Sequence, residues 1–334
     1  MRPVTSLATA GAIAVLAAAC GGGFADGQTV PAGASSGSPV TVENCGQQIT
    51  FDTPPERAFA NDINTTEAML ALGLADRMVG MAGVGGRDEV LAELAEDFRS
   101  VERVSEQYIE LEPLLGTGAD FIFAGWNYGF SEGTGMTPDS LAERGVAAYA
   151  LTESCAHVQP DKGPTSIEET FQDLRNLGLI FGVTDRAATI IEEMQTVLTE
   201  VEAAASDRAP RRIFVYSQGE DAPVTTPGLT IATDLIARAG GQNIFADLRQ
   251  PPTTVSWEQV IDRDPECIVI VDHGPTSWEE KRDFLRDNPA FGEITAIQDN
   301  CFLPLPYAAV TPGIRNADAV QAIAELLRDD ASGR

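Results

Sequence analysis

The sequence predicts two α/β lobes with mostly parallel central sheets, joined by a single long α-helix. Three observations carry this. Short apolar runs alternate with amphipathic segments from Thr41 onward. The same rhythm resumes in the last third of the chain. Between them lies a stretch that is helical throughout. Strand-then-helix alternation is what a helix-covered parallel sheet requires, since each parallel connection must cross back over the sheet.

The chain of 334 residues opens on a removable segment. Residues 1–19 carry Arg2 and the apolar run "LATAGAIAVLAAA", too short for a membrane span, and read as a signal peptide. Residues 20–40 hold Cys20 and then a Gly-, Ser- and Pro-rich tether with few large apolar side chains. "VLAAAC" resembles a bacterial lipobox with Cys20 as the lipidated residue, although Ala17 stands where Leu is usual. Ordinary secretory cleavage after Ala19 is the competing reading. Cysteine parity favours lipidation: with Cys20 modified, the other four of five cysteines can form two disulfides.

Residues 41–183 form the expected N-terminal lobe. In it "RAFAN" precedes "TTEAMLALGL", "RMVGMAG" precedes "DEVLAELAEDF", and "ADFIFAG" precedes "PDSLAERG". "SIEETFQDLRNLGLIFG" is a further amphipathic segment. Residues 184–206 form the expected interlobe helix. Ala187, Ile190, Ile191, Met194, Val197, Leu198 and Val201 recur at threes and fours and make one apolar stripe. From Asp185 to Ser206 such a helix is about 33 Å long. Residues 207–330 form the expected C-terminal lobe, where "RIFVYS", "CIVIVD" and "CFLPLP" each precede a helical pattern.

Composition excludes some functions. Asp and Glu number 50 against 22 Lys and Arg, a net charge of −28, which repels nucleic acid and anionic membrane surfaces. Only His157 and His273 are histidines, poor provision for a transition-metal site, so no resident metal or cofactor is expected. "GVGG" and "GFSEGTG" lack the full dinucleotide pattern, and no Ser, His and Asp set has nucleophile-elbow spacing, so no enzyme is expected.

One arrangement occurs twice. Glu112 and Glu258 are each followed two and three places on by apolar residues, eight places on by an acid, and then directly by a strand-like run. Each Glu opens a short helix, where the helix dipole favours an acid.

With these segments in order, residues 41–330 resemble the cobalamin and ferric-siderophore type of ABC-transporter substrate-binding protein. "TTEAMLALGLADRMVGMAG", "EPLLGTGADFIFAG", "GLTIATDLIARAGGQNIFADL", "VSWEQVIDRDPECIVIVD" and "TPGIRNADAVQAIAEL" carry the likeness. It implies the class III periplasmic-binding-protein fold, an exported monomer, and a small-molecule ligand held between the lobes. It implies as partners a permease dimer with its ATPase, met through Glu112 and Glu258, and a membrane reached only through the lipid anchor. A ferric siderophore is the first ligand expected, with cobalamin, haem or a deazaflavin cofactor precursor as alternatives. A scavenger or surface receptor without transport is the reading from another class.

Ligands of open α/β sheets sit beyond the carboxyl ends of strands. The expected contacts there are Asn61, Thr65, Arg87, Trp126, Tyr128 and Phe130 from the first lobe. From the second they are Tyr216, Arg249, Tyr307 and Arg315. Aromatic side chains offer large area at low entropic cost. Clustered Arg87, Arg249 and Arg315 would suit carboxylates, catecholates or phosphate. His273 as a haem ligand is the less common case for a polar residue after a strand. Of three connectivities, only Cys45–Cys155 with Cys267–Cys301 avoids tying the lobes together.

Overall fold

Two parallel sheets follow from the strand-like runs, one in each lobe. The computed structural model describes residues 39–84, 90–205 and 209–332. The expected signal peptide, Cys20, nearly all of the tether, Arg87 and the last residue of the 184–206 helix lie outside the described residues.

In the first lobe Met78–Ala82, Ala58–Asn61 and Phe121–Trp126 lie side by side, all parallel. Ala147–Ala150 and the two-residue strand Gly129–Phe130 both pair with Phe121–Trp126. In the second lobe the order is Gly241–Asn243, Arg211–Tyr216, Cys267–Asp272, Phe302–Pro306, again all parallel.

Alternation along each central strand divides the core. Phe121, Phe123 and Tyr149, with Ile213, Val215, Val269 and Val271 from the second sheet, join one apolar cluster shared by both lobes. The opposite faces close separately, over Ile122, Ala124 and Trp126 in one lobe and Phe214, Tyr216, Ile268 and Ile270 in the other. Strands buried on both faces read as continuous apolar runs, which is how they appear in the sequence.

The long helix spans Thr184–Ala205 and buries Ala187, Ile191, Met194 and Leu198. It packs on the helices Ile167–Phe181 and Asn316–Ser332, one from each lobe. Gly182, at φ 70°, ends the first of these.

One element was not expected. Val40–Asn44 and Gln47–Phe51 form an antiparallel hairpin whose turn is Cys45–Gly46, both at positive φ. Asn44 docks it on the first sheet, donating from Nδ2 to Ala150 O at 2.7 Å and accepting from Ala150 N at 2.8 Å. Disulfides join Cys45 to Cys155 and Cys267 to Cys301. The first pins the hairpin turn to the segment Thr152–His157, and the second joins adjacent strand starts.

Candidate functional site

The carboxyl ends of the two sheets meet at Asp62. This residue caps the helix Ile63–Ala71 with its own side chain, Oδ1 accepting from Ile63 N at 2.7 Å. Its φ is 119°, which a non-glycine residue adopts only under strain, and such strain concentrates at ligand clamps and active sites. Its other oxygen, Oδ2, accepts from two phenols at 3.2 Å each: Tyr108 of the first lobe and Tyr307 of the second. His273, at the end of Cys267–Asp272, stacks on Tyr307 with ring centroids 4.6 Å apart.

A third phenol completes the group. The Tyr128 ring lies on Gly125, where a Cβ would come within 1.9 Å of it, so only glycine fits. Its hydroxyl is buried and has no hydrogen-bond partner. Burial raises the Tyr128 pKa well above the ordinary phenol range, and the Glu153 and Asp62 carboxylates push the same way. Tyr307 is raised by burial first and by Asp62 next. Both are therefore neutral hydroxyls near neutral pH, able to donate as well as accept.

Asn61 and Thr65 support this group from beneath. Asn61 is fully buried, accepting from Ile109 N at 2.8 Å and donating to Tyr128 O at 3.1 Å. Thr65 is also buried and donates to Asp62 O at 3.0 Å. Their polar atoms hold the loops in place rather than face open space.

Other expected contacts sit elsewhere. Phe130 is fully buried in the first-lobe core, and Tyr216 packs in the second-lobe core with Phe214 and Trp257. Trp126 is 7% exposed, edge-on to Phe130 and stacked on His157 at 4.7 Å. It borders a cavity of about 440 Å³ with Cys45, Glu132 and Asp139. The loop after Phe121–Trp126 buries its rings because Gly129–Phe130 folds back to pair with that strand.

The expected arginine cluster is not assembled among the described residues. Arg315 is buried and pairs with Glu67, and Arg249 lies exposed on its loop. Arg87 is outside the described residues. Asp62 lies between the expected contacts Asn61 and Thr65 in the sequence, but its role as cap and double acceptor needs the fold. Tyr108 has no signal in its flanking sequence.

Glu112 and Glu258 are both exposed, each in the first turn of its helix, Leu111–Gly116 and Trp257–Arg263. Each helix leads into a central strand. The Glu258 carboxyl is held below its usual range by its own backbone amide and by Ser256.

The sequence matches the periplasmic binding protein family model over residues 62–307. The chain belongs to this family. A vitamin B12-binding protein of Yersinia pestis is 27% identical over 216 residues, covering 64% of this chain and 69% of that protein. A periplasmic binding protein from Veillonella parvula superposes with a TM-score of 0.76 at 25% identity, over 88% of this chain and 99% of its own. An Fe3+-hydroxamate transport protein from Saccharomonospora viridis superposes with a TM-score of 0.74 at 22% identity, over 87% and 99%. The fold is thus that of solute-binding proteins, and the polar group at Asp62 lies where the two sheets' carboxyl ends face one another.

Proposed function

We propose that this chain is an extracytoplasmic solute-binding lipoprotein that captures a metal chelate between its lobes and passes it to an ABC importer. The observation that carries this is the convergence of Asp62, Tyr108, Tyr128 and Tyr307 from both lobes, with one buried hydroxyl unpartnered. Unpartnered buried hydroxyls are costly, and a bound ligand offers the missing bond. A ferric siderophore is the leading ligand. Neutral phenols suit a hydroxamate chelate better than a highly anionic one, now that Arg315 is neutralised by Glu67. Cobalamin is the second reading, favoured by the vitamin B12-binding relative.

Glu112 and Glu258 serve as the permease contacts in this reading, one per lobe. Exposed ion pairs are individually weak, so the two register the complex more than they hold it. Cys20 carries the lipid, and transport distinguishes this role from that of a scavenger.

Native mass spectrometry of protein from its own host, with tryptophan quenching by ferric hydroxamates, cobalamin and haem, tests the ligand. Saturable quenching by a ferric chelate is expected. No response to any of these compounds would overturn the reading. Glu112→Ala with Glu258→Ala should abolish uptake and leave ligand affinity unchanged, whereas normal uptake would refute the docking role. Labelled lipid should enter wild type and not Cys20→Ala.

A further inference from the structure

Two helices begin where the lobes meet: Ile167–Phe181 in the first and Ile231–Arg238 in the second. A helix start leaves its first amides without intrahelical acceptors. The cap residues, Ser166 and Thr230, make no side-chain bond to those amides. The acceptors come from the opposite lobe. Glu153 Oε1 accepts from Ile231 N at 2.8 Å, and Asp234 Oδ2 accepts from Ile167 N at 2.9 Å. Between them Thr165 N donates to Leu229 O at 3.1 Å. The lobes therefore exchange carboxylates, each capping the other's helix.

The two carboxylates are held differently. Asp234 also accepts from Arg238 Nε at 2.9 Å, a counter-charge on its own helix. Glu153 is faced by Glu169 and Asp173 from the helix Ile167–Phe181, by the Tyr128 phenol, and by Lys162. Lys162 is itself engaged by both oxygens of Glu169 at 2.8 Å. On the second-lobe side the facing group is the helix start at Ile231, with Asp234 one turn on.

We propose that these reciprocal caps form a proton-responsive latch between the lobes. In it, Glu153 releases the helix Ile231–Arg238 as the medium turns alkaline, while Asp234 keeps hold of the helix Ile167–Phe181. Burial pushes the Glu153 carboxyl up to about 7, against the pull of the Ile231 amide and Lys162. Opening the contact returns Glu153 to water and to the ordinary carboxylate range. The closed contact therefore binds the proton more tightly than the open one. Closure is favoured on the acid side and weakens as pH rises through about 7. Each unit between the closed and open values is about tenfold in the opening equilibrium. Because Tyr128 adjoins Glu153, the side that loosens is the side bearing the unpartnered hydroxyl.

Amide hydrogen exchange on the full chain tests this without a ligand. Rates are corrected for the pH dependence of the chemical step, with the strand amides of Ile268 to Val271 as internal reference. Between about pH 6 and pH 8.5 the opening constant at Ile231 should rise about tenfold while that at Ile167 holds. Glu153→Gln, neutral throughout, should flatten the Ile231 profile. A flat wild-type profile, or an unchanged step in Glu153→Gln, would overturn the latch. Should that variant not fold, the wild type alone decides: equal steps at Ile231 and Ile167 would mean general loosening and overturn the proposal.

Discussion

Glu67 and Arg315 form a buried ion pair across the lobes, although 248 positions separate them. Arg315 Nε donates to Glu67 Oε2 at 2.7 Å and Nη2 donates to Oε1, which also accepts from Leu91 N at 2.9 Å. Next to it Asn64 Nδ2 donates to Pro312 O at 2.8 Å, so the start of the helix Ile63–Ala71 is fastened to the loop before the last helix. A buried pair is costly to break from one side, because the remaining charge is left without compensation. Arg315→Met is expected to destabilise the protein by about 3–5 kcal/mol. Adding Glu67→Leu should recover part of that loss, giving a coupling that a double-mutant cycle in urea reads directly. An arginine serving the ligand instead would lower affinity and leave the urea midpoint where it was.

Stability should fall as pH rises through neutrality. Asp173 accepts from Tyr149 OH at 2.8 Å and from Thr152 N at 3.1 Å, yet burial still pushes its carboxyl up to about 7. A carboxyl raised in the folded state contributes most below its ordinary value, and that contribution is lost as pH climbs through the folded value. Glu153 is raised in the same direction. The melting temperature should therefore be higher near pH 6 than near pH 8, and Asp173→Asn should reduce the slope. A melting temperature that rises over this interval would contradict the assignment.

The parts of this fold that were legible in sequence are those written in period. The long helix announced itself because Ala187, Ile191, Met194 and Leu198 repeat at the spacing of one helical face, and the same residues are buried. The central strands were legible because both of their faces are covered. The hairpin was less so. "VTVEN" and "QQITF" alternate weakly, and Cys–Gly is not a typical two-residue turn. The site was legible only by position, as strand ends. Which aromatic residues face the cleft depends on where a loop turns back. Gly129–Phe130 re-pairs with Phe121–Trp126, burying Phe130 and leaving the Tyr128 hydroxyl between carboxylates. Arg315 could not be told from a ligand residue because its partner is brought from the other lobe.

Trp126 should behave as a structural residue. It contacts Phe130 edge-on and stacks on His157, whose Nε2 lies 2.9 Å from Glu132 Oε1. Truncating a buried large aromatic costs about 3–5 kcal/mol through lost contacts and the space left behind. Trp126→Ala is expected to lower the urea midpoint accordingly, and Trp126→Phe to lower it less. If Trp126→Ala unfolds at the wild-type midpoint and loses only ligand affinity, the ring belongs to the binding surface.

Tyr128→Phe separates ligand binding from folding most cleanly. The hydroxyl is buried and meets no partner in good hydrogen-bond geometry; the nearby Ser154 hydroxyl gives its own proton to Leu151 O at 2.6 Å and only partly offsets the burial of Tyr128. The ring itself fits over Gly125, which phenylalanine preserves. Removing an unsatisfied buried hydroxyl relieves a desolvation cost on the order of 1–3 kcal/mol. The ligand-free variant should therefore melt at or above the wild-type temperature. In the bound state the same hydroxyl is free to bond the ligand, and one neutral hydrogen bond is worth about 0.5–1.5 kcal/mol. Affinity for a quenching chelate should fall by roughly threefold to tenfold. The two effects oppose in sign, so calorimetry and ligand titration on one variant suffice. A lower melting temperature with unchanged affinity would place the hydroxyl in the protein's own hydrogen bonding and remove Tyr128 from the ligand site.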